Sequence, residues 1–149
     1  ISSQILFKII DNYQQIPEMV GMFQKEVAER TAAVPRTKDY GILSVLVQAY
    51  YDVKYLFTVH ENVFNPPPKV KSGVIKMTRN RKEGLEGNEI LFKQIVKTGF
   101  NQRRKKLSNA LKPLNIPESL KNHAFMDKRA EELSVEDFIN FTIEWKTAN

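Results

Sequence analysis

The spacing of hydrophobic positions divides residues 1–80 into helices and strands. Isoleucine and leucine recur at helical spacing over residues 5–10, where Ser2 or Ser3 can cap the helix. The pattern then predicts a buried strand over 18–23 and a strand over 52–59, in which Val53, Tyr55, Phe57 and Val59 alternate with other residues. Helices are predicted over 24–30 and 40–51, and a third strand over 73–78. This half of the chain is therefore predicted to be α/β.

Beyond residue 80 the pattern predicts helices only. Residues 80–88 contain two glycines among charged residues and are the best candidate for a linker. Helices are predicted over 88–98, with Ile90 on the apolar face, over 102–111, after Pro117, and from Ser134, where Asp137 completes a capping box. We therefore expect two domains, an α/β domain over 1–80 and an all-α domain over 81–149.

Composition places the chain among globular proteins. It has 149 residues, of which 42% are hydrophobic and 27% charged. It contains no cysteine, which excludes disulfides and thiolate chemistry and suits the cytoplasm. No apolar run approaches the length of a membrane span. We expect a cytoplasmic monomer that binds neither membrane nor metal.

Positive charge is concentrated in one part of the chain. Of the 23 Lys and Arg residues, 13 lie between residues 65 and 113, together with only 3 of the 17 acidic residues. A local excess of this size is typical of a surface that binds a polyanion, most commonly a nucleic acid. A solvated basic surface is the alternative.

The densest basic segment begins at Phe100. Asn101 and Gln102 are followed by Arg103, Arg104, Lys105 and Lys106. Four successive residues cover about 300° of a helix, so part of this row must lie over a partner or along the protein. Arginine suits bidentate contact with phosphate, and the two amides can add hydrogen bonds.

A stiff loop carries one aromatic side chain. Phe64 and Asn65 precede Pro66, Pro67 and Pro68, and prolines restrict both themselves and the residue before them. An aromatic ring held in this way can stack on a nucleobase. A ring that plugs into the hydrophobic core is the alternative at this stage.

Common enzyme motifs are absent from the sequence. His60 and His123 are isolated, and no Cys or His pair has metal-ligand spacing. Neither a glycine-rich phosphate loop nor a nucleophile elbow occurs. The residues alone therefore predict no complete active site.

Four motifs in order resemble the KsgA/RsmA family of small-subunit ribosomal RNA adenine dimethyltransferases. They are QKEVAER at 24–30, DYGxLSVL at 39–46, FxPxPKVxS at 64–72 and FNQRRK at 100–105. The related Erm methyltransferases act on large-subunit RNA, and the last motif looks more like KsgA than Erm.

The resemblance implies the C-terminal half of a class I, Rossmann-like methyltransferase domain over 1–80, followed by a helical RNA-binding domain over 81–149. It also implies N6,N6-dimethylation of adenines in 16S ribosomal RNA, with S-adenosylmethionine as methyl donor and the assembling 30S subunit as partner. The family's cofactor loop and its Asn-Leu-Pro-Tyr motif are expected upstream of Ile1. The chain alone is therefore expected to be inactive, with no catalytic or cofactor-binding residue of its own.

Site residues follow from the same resemblance. Phe64 is expected to stack on the target adenine, which must leave its own stack to react. Pro66, Pro68 and Lys69 would form the wall of this pocket. Residues expected to bind RNA are Asn101, Gln102, Arg103, Arg104, Lys105 and Lys106, with Arg36, Lys38 and Arg79 as weaker contacts.

Two other functions remain open from the sequence. A non-catalytic RNA-binding or ribosome-assembly module would use the same basic segment without methylating. A polyproline ligand for a partner domain is a weaker alternative, because strands flank the prolines.

Overall fold

A computed structural model describes residues 3–66 and 70–148 of the chain. Within these ranges three helices and a three-stranded sheet alternate up to residue 79, and further helices and short 3-10 turns follow. The helices are α1 (Gln4–Asp11), α2 (Lys25–Ala32), α3 (Ile42–Gln48), α4 (Glu89–Asn101), α5 (Leu107–Ala110) and α6 (Val135–Ala148). The strands are β1 (Glu18–Gln24), β2 (Tyr51–Val59) and β3 (Ser72–Arg79).

The last strand along the chain lies in the middle of the sheet. Its order is β1-β3-β2, and β3 is antiparallel to both neighbours. Val20 pairs with Lys76 on one side, and Tyr55 pairs with Ile75 on the other. Because β3 is hydrogen-bonded along both edges, half of its residues are buried, whereas β1 is buried only at Phe23.

Helix α2 packs closely on the central strand. A Cβ atom added at Gly73 of β3 would lie 2.8 Å from the Cβ of Ala28 on α2 and 2.8 Å from the Oη of Tyr55. Only a residue without a side chain leaves room for this approach. The glycine therefore sets how near α2 can lie to the sheet.

One hydrophobic core runs through the described chain. It joins Leu6 of α1 and Ile75 of β3 to Phe92 and Phe100 of α4 and to Trp145 of α6. Tyr40, before α3, donates a 2.7 Å hydrogen bond to the carbonyl of Leu133, before α6. Burial, with a contribution from the charge of Asp137, raises the pKa of Tyr40, so this hydroxyl keeps its proton.

The predicted fold class is confirmed, as are most of the predicted elements. The capping box is also confirmed, because the N–H of Asp137 donates to the Oγ of Ser134 and the N–H of Ser134 donates to Asp137, each at 3.0 Å. Ser3 precedes α1 but its side chain makes no capping hydrogen bond. Ser2 lies outside the described residues. None of the described helices has the length and hydropathy to cross a bilayer.

Two predictions of burial are wrong, and one confirmed strand departs from its predicted alternation. Strand β1 is not a buried strand: Val20 is 58% exposed, because the strand lies at an edge of the sheet. The alternation of β2 breaks at Phe57, which is 55% exposed, because the register shifts between Tyr55 and Phe57. Ile90 is 77% exposed, and Phe92 takes the buried position on α4 instead.

The segment predicted as a linker is packed against the protein. Leu85 is 5% exposed and belongs to the core, and Arg81 donates a 2.9 Å hydrogen bond to the carbonyl of Ala49. Gly84 has a φ of +69° and faces the ring of Tyr13. The division into two domains at residue 80 stays a prediction.

The close approach at Gly73 predicts a loss of stability on substitution. Gly73→Ala should lower the free energy of unfolding by about 1–3 kcal/mol, because its methyl group must push α2 away from the sheet. Thr78→Ala, at an exposed position of the same strand, serves as the control and should change it by less than about 0.5 kcal/mol. Urea denaturation measures both. Equal stability of the Gly73 variant and the native chain would contradict this packing.

Candidate nucleic-acid interface

The basic segment forms a turn between two helices. Helix α4 ends at Asn101. The backbone of Gln102 is no longer helical, with φ −118° and ψ 59°. Lys106 is extended and pairs with Arg129 in an isolated β-bridge, and the N–H of Leu107 donates to the carbonyl of Lys128 at 2.8 Å. We call residues 102–106 the basic turn.

The predicted helix over residues 102–111 is therefore wrong. Only Leu107–Ala110 is helical within it. The turn lets Phe100 and Leu107 both enter the core, at 8% and 0% exposure, while Arg104, Lys105 and Lys106 remain exposed. A continuous helix would have carried the four cations around most of its circumference.

Arg103 differs from the other cations of the basic turn. Its guanidinium lies over the ring of Phe100, 5.7 Å from the centroid. Its Nη2 donates to the carbonyls of Thr37 and Lys38, both at 3.3 Å. The side chain is half-buried, and no carboxylate of the described residues lies within 4 Å of it. Arg103 therefore fastens residues 33–41, which we call the junction loop, to the end of α4.

The remaining cations of the turn are open to solvent. Arg104 and Lys105 are exposed, and within the described ranges neither forms an ion pair. Lys106 lies 3.9 Å from Asp127, but both side chains are largely exposed. Asn101 and Gln102 are exposed beside them. The turn thus presents three accessible cations and two amides on one short stretch of backbone.

Arg36 holds the junction loop to the 3-10 turn Ala130–Glu132. Its backbone N–H donates to the carbonyl of Glu131 at 2.8 Å, and its guanidinium lies 3.5 Å from Glu132. A hydrogen bond from the N–H of Arg129 and the charge of Arg36 lower the pKa of Glu132. Lys38, from the same loop, is exposed.

Arg79 lies at the other end of the sheet from the loop that follows β2. Its Nη1 donates to the carbonyls of Tyr13 and Gln14, at 3.1 and 3.0 Å. Of the three weaker RNA-contact predictions, Lys38 is therefore the side chain free of such internal contacts, whereas the guanidinium groups of Arg36 and Arg79 are engaged within the protein. All of these RNA contacts stay predictions.

Phe64 follows a short 3-10 turn after β2. Its backbone is extended, and its N–H donates to the carbonyl of Glu61 at 3.3 Å. The side chain is half-buried but is not among the described side chains that pack against the core. A core role, the alternative left open by the sequence, therefore finds no support in the described contacts.

Part of the predicted pocket wall lies beyond the described residues. Pro66 is described and exposed, whereas Pro68 and Lys69 fall outside the described ranges. The chain resumes next to α2, where the N–H of Lys25 donates to the carbonyl of Lys71 at 2.9 Å. Lys71, just before β3, is thus tied to the start of α2, and α2 ends at the junction loop.

The described residues do not form a cofactor site. S-adenosylmethionine is implied by the resemblance, and nucleotide-like cofactors in α/β folds bind at glycine-rich loops beyond the carboxyl ends of parallel strands. Here every strand pair is antiparallel, and the sequence has no glycine-rich loop. The residues between 3 and 148 that the structure describes also contain no cluster of three potential metal ligands.

Comparisons with known proteins agree with the motifs. A family model for ribosomal RNA adenine dimethylase matches residues 1–147. Ribosomal RNA small subunit methyltransferase A of Bacteroides thetaiotaomicron is 61% identical over 145 residues, covering 95% of this chain and 54% of the relative. The protein of the same name from Cytophaga hutchinsonii is 58% identical over 142 residues, covering 95% of this chain and 55% of the relative. The chain thus spans about half the length of these relatives.

Two solved structures share the fold. A dimethyladenosine transferase from Plasmodium falciparum superposes with a TM-score of 0.84 at 27% identity, covering 99% of this chain and 63% of that one. The 23S rRNA methyltransferase ErmE superposes with a TM-score of 0.59 at 21% identity, covering 98% of this chain and 63% of that one. The second likeness concerns the fold alone.

The contacts of Arg103 predict a local effect of its removal. Arg103→Ala should speed amide hydrogen exchange in the junction loop about fivefold, because the loop loses two hydrogen bonds worth together about 1 kcal/mol. Arg104→Ala, one residue away and exposed, should leave this exchange unchanged. Mass-spectrometric hydrogen exchange measures both variants. Equal rates in the two would show that Arg103 does not fasten the loop.

Proposed function

Because the chain belongs to the ribosomal RNA adenine dimethylase family, we propose that the full-length protein dimethylates the N6 amine of adenines in small-subunit ribosomal RNA. S-adenosylmethionine is the proposed methyl donor, and the assembling small subunit in the cytoplasm is the proposed partner. The observation that carries the proposal is the match of almost the whole chain to this family and to relatives named small subunit methyltransferase A. The protein is proposed to act as a monomer.

The chain is proposed to contribute residues that bind the RNA substrate, and not those that bind the cofactor. Its relatives are nearly twice as long, and the described residues form no cofactor site, so cofactor binding is assigned to the part of such proteins that this chain does not match. We accordingly expect the chain alone neither to bind S-adenosylmethionine nor to transfer methyl groups. Residues 1–80 are proposed to complete the catalytic domain, and residues 81–149 to bind RNA.

Phe64 is proposed as one face of the adenine pocket. Its ring is half-buried and outside the core, and its N–H donates to the carbonyl of Glu61 in the turn after β2. A ring in this position can stack on a base that has left its own stack. Such stacking contributes about 1–3 kcal/mol per base. Pro66 and Pro68 would fix the wall beside it, and Lys69 would lie near a phosphate.

The basic turn is proposed to hold the RNA backbone. Arg104, Lys105 and Lys106 are accessible for phosphate contacts, and such contacts position a substrate without reading its sequence. The turn and the sheet share one hydrophobic core. RNA bound at the turn is therefore positioned relative to the sheet, whose strand β2 leads to Phe64, and such positioning favours the reaction.

A non-catalytic assembly factor is the second candidate. It is favoured by one observation, that the described residues carry accessible cations but no cofactor site. The two functions share RNA binding and differ only in methyl transfer by the full-length protein. An aromatic residue at the position of Phe64 matters for the first function and not for the second.

Substitution of Phe64 in the full-length protein separates stacking from binding. Phe64→Ala should lower the methylation rate about 10- to 100-fold, because the flipped adenine loses the stacking energy on one face. RNA affinity should change less than about twofold, since phosphate contacts supply most of it. Methylation of small-subunit RNA and filter binding of the same RNA measure the two effects.

Phe57→Ala is the matched control, because Phe57 is an exposed phenylalanine on the neighbouring strand. It should leave both methylation and binding near native values. A Phe64 variant that lost methylation and RNA affinity to the same extent would show that Phe64 supports the fold instead of the substrate.

A further inference from the structure

A cavity opens where the junction loop meets the basic turn. It has a volume of about 400 Å³ and lies between α1, α2, α3, the junction loop and Arg103. One wall is apolar and is formed by Phe7, Val27, Ile42 and Leu43. Three cationic side chains also line the cavity, namely Arg30, Lys38 and Arg103.

The charges around the cavity favour an anion. Asp39 is the acidic residue among the lining residues, against three cations. Glu26 pairs with Arg30, but no carboxylate in the described ranges lies within 4 Å of Lys38 or Arg103. A half-buried guanidinium without a counter-ion is stabilised by an incoming phosphate, which it can bind through two parallel N–H groups.

Arg103 keeps part of its donor set free for such a ligand. Its Nη2 serves the carbonyls of Thr37 and Lys38, which fixes the orientation of the guanidinium plane. The Nη1 atom points to the wall at Gly41, 3.7 Å from where a Cβ would lie there. Gly41 also lines the cavity, so Nη1 lies at the cavity wall on a guanidinium that the two carbonyl contacts have already ordered.

We infer that this cavity binds one nucleotide of the substrate RNA, with its phosphate on Arg103 and Lys38 and its base on the apolar wall. The inference rests on the proposed RNA substrate. The volume suits a nucleotide better than a phosphate ion alone, and an apolar wall with a few polar groups is typical of ligand pockets. The exposed cations Arg104 and Lys105 follow Arg103 in the sequence and can contact the RNA backbone next to the bound nucleotide.

The nucleotide bound here is a neighbour of the target adenine. Helix α2 begins at the segment that follows Phe64, through the bond from Lys25 to Lys71, and Val27 and Arg30 of the same helix line the cavity. The helix has eight residues and is therefore about 12 Å long. The cavity therefore lies within that length of Lys71, which lies seven residues after Phe64, and on this basis the bound nucleotide is assigned to the neighbourhood of the modified one.

A second cavity offers a useful contrast. It has a volume of about 140 Å³, shares Phe7 with the first, and is lined by Asp11 and Glu89 together with Lys93. Its two carboxylates outnumber the one cation and would repel a phosphate. The combination of size and positive charge is therefore found in the first cavity and not in this one.

A double-mutant cycle in the full-length protein tests whether the two cations hold the same phosphate. Lys38→Gln and Arg103→Gln should each lower the affinity for small-subunit RNA about 5- to 10-fold and reduce its salt slope by about 1. The double variant should lose little more than the worse single variant, because both residues act on one phosphate. Lys146→Gln, at an exposed position on α6, is the control. Its effect on RNA affinity should combine multiplicatively with that of Arg103→Gln, which means no coupling.

Two further measurements test whether the base of the nucleotide lies on the apolar wall. Leu43→Trp fills the apolar wall without changing charge, and it should lower RNA affinity about as much as Lys38→Gln. In NMR spectra, adenosine monophosphate should shift the methyl resonances of Leu43. Inorganic phosphate should shift only the resonances of the Arg103 side chain. Thermal unfolding of each variant shows whether the fold is kept, and Lys38→Gln alters only an exposed side chain.

Several results would overturn the inference. These are multiplicative losses in the Lys38 and Arg103 cycle, native RNA affinity of a folded Leu43→Trp variant, or equal shifts of Leu43 by the nucleotide and by phosphate. If methylation by the native protein persists in these cases, the proposed function stands and only the cavity assignment fails. If the native protein binds RNA with the predicted coupling but never methylates it, the proposed function fails and the cavity assignment stands.

Discussion

Phe100 is the side chain on which the rest of the arrangement depends. Its ring packs edge-on against Tyr40 at 5.9 Å, lies 5.8 Å from Phe138 of α6, and supports the guanidinium of Arg103. At 8% exposure it occupies the last turn of α4, one residue before that helix ends. One buried ring therefore connects the junction loop, the last helix and the basic turn.

This constraint explains why cations that are neighbours along the chain do different things. Arg103 is drawn over Phe100 and onto the carbonyls of Thr37 and Lys38, so it orders the junction loop. Arg104 and Lys105 point to solvent and stay accessible to phosphate. The same core continues through α2 to the sheet, beside which Phe64 is held. An RNA that meets the basic turn would thus meet a surface that rests on the same core as the sheet.

Much of this could be predicted from local pattern, and the failures have physical causes. Periodicity was sufficient to place β2, β3 and α6 along the chain. A resemblance of motifs singled out Phe64, whose role stays a prediction. The helix break at Gln102 was not predictable, because it depends on the bond between Leu107 and Lys128 across the chain. The exposure of Val20 depends on the place of β1 in the sheet. Arg103 contacts Thr37 and Lys38, which lie 66 and 65 positions before it in the sequence, and no local pattern predicts such contacts.

Methylation of ribosomal RNA by the full-length protein tests the central claim most directly. The protein is incubated with S-adenosylmethionine and small subunits that lack the modification, and the nucleosides of the RNA are then separated by mass spectrometry. The account predicts N6,N6-dimethyladenosine in the small-subunit RNA and none in large-subunit RNA treated in the same way. RNA that is bound tightly but contains only unmodified adenosine would contradict it and would favour a non-catalytic assembly factor.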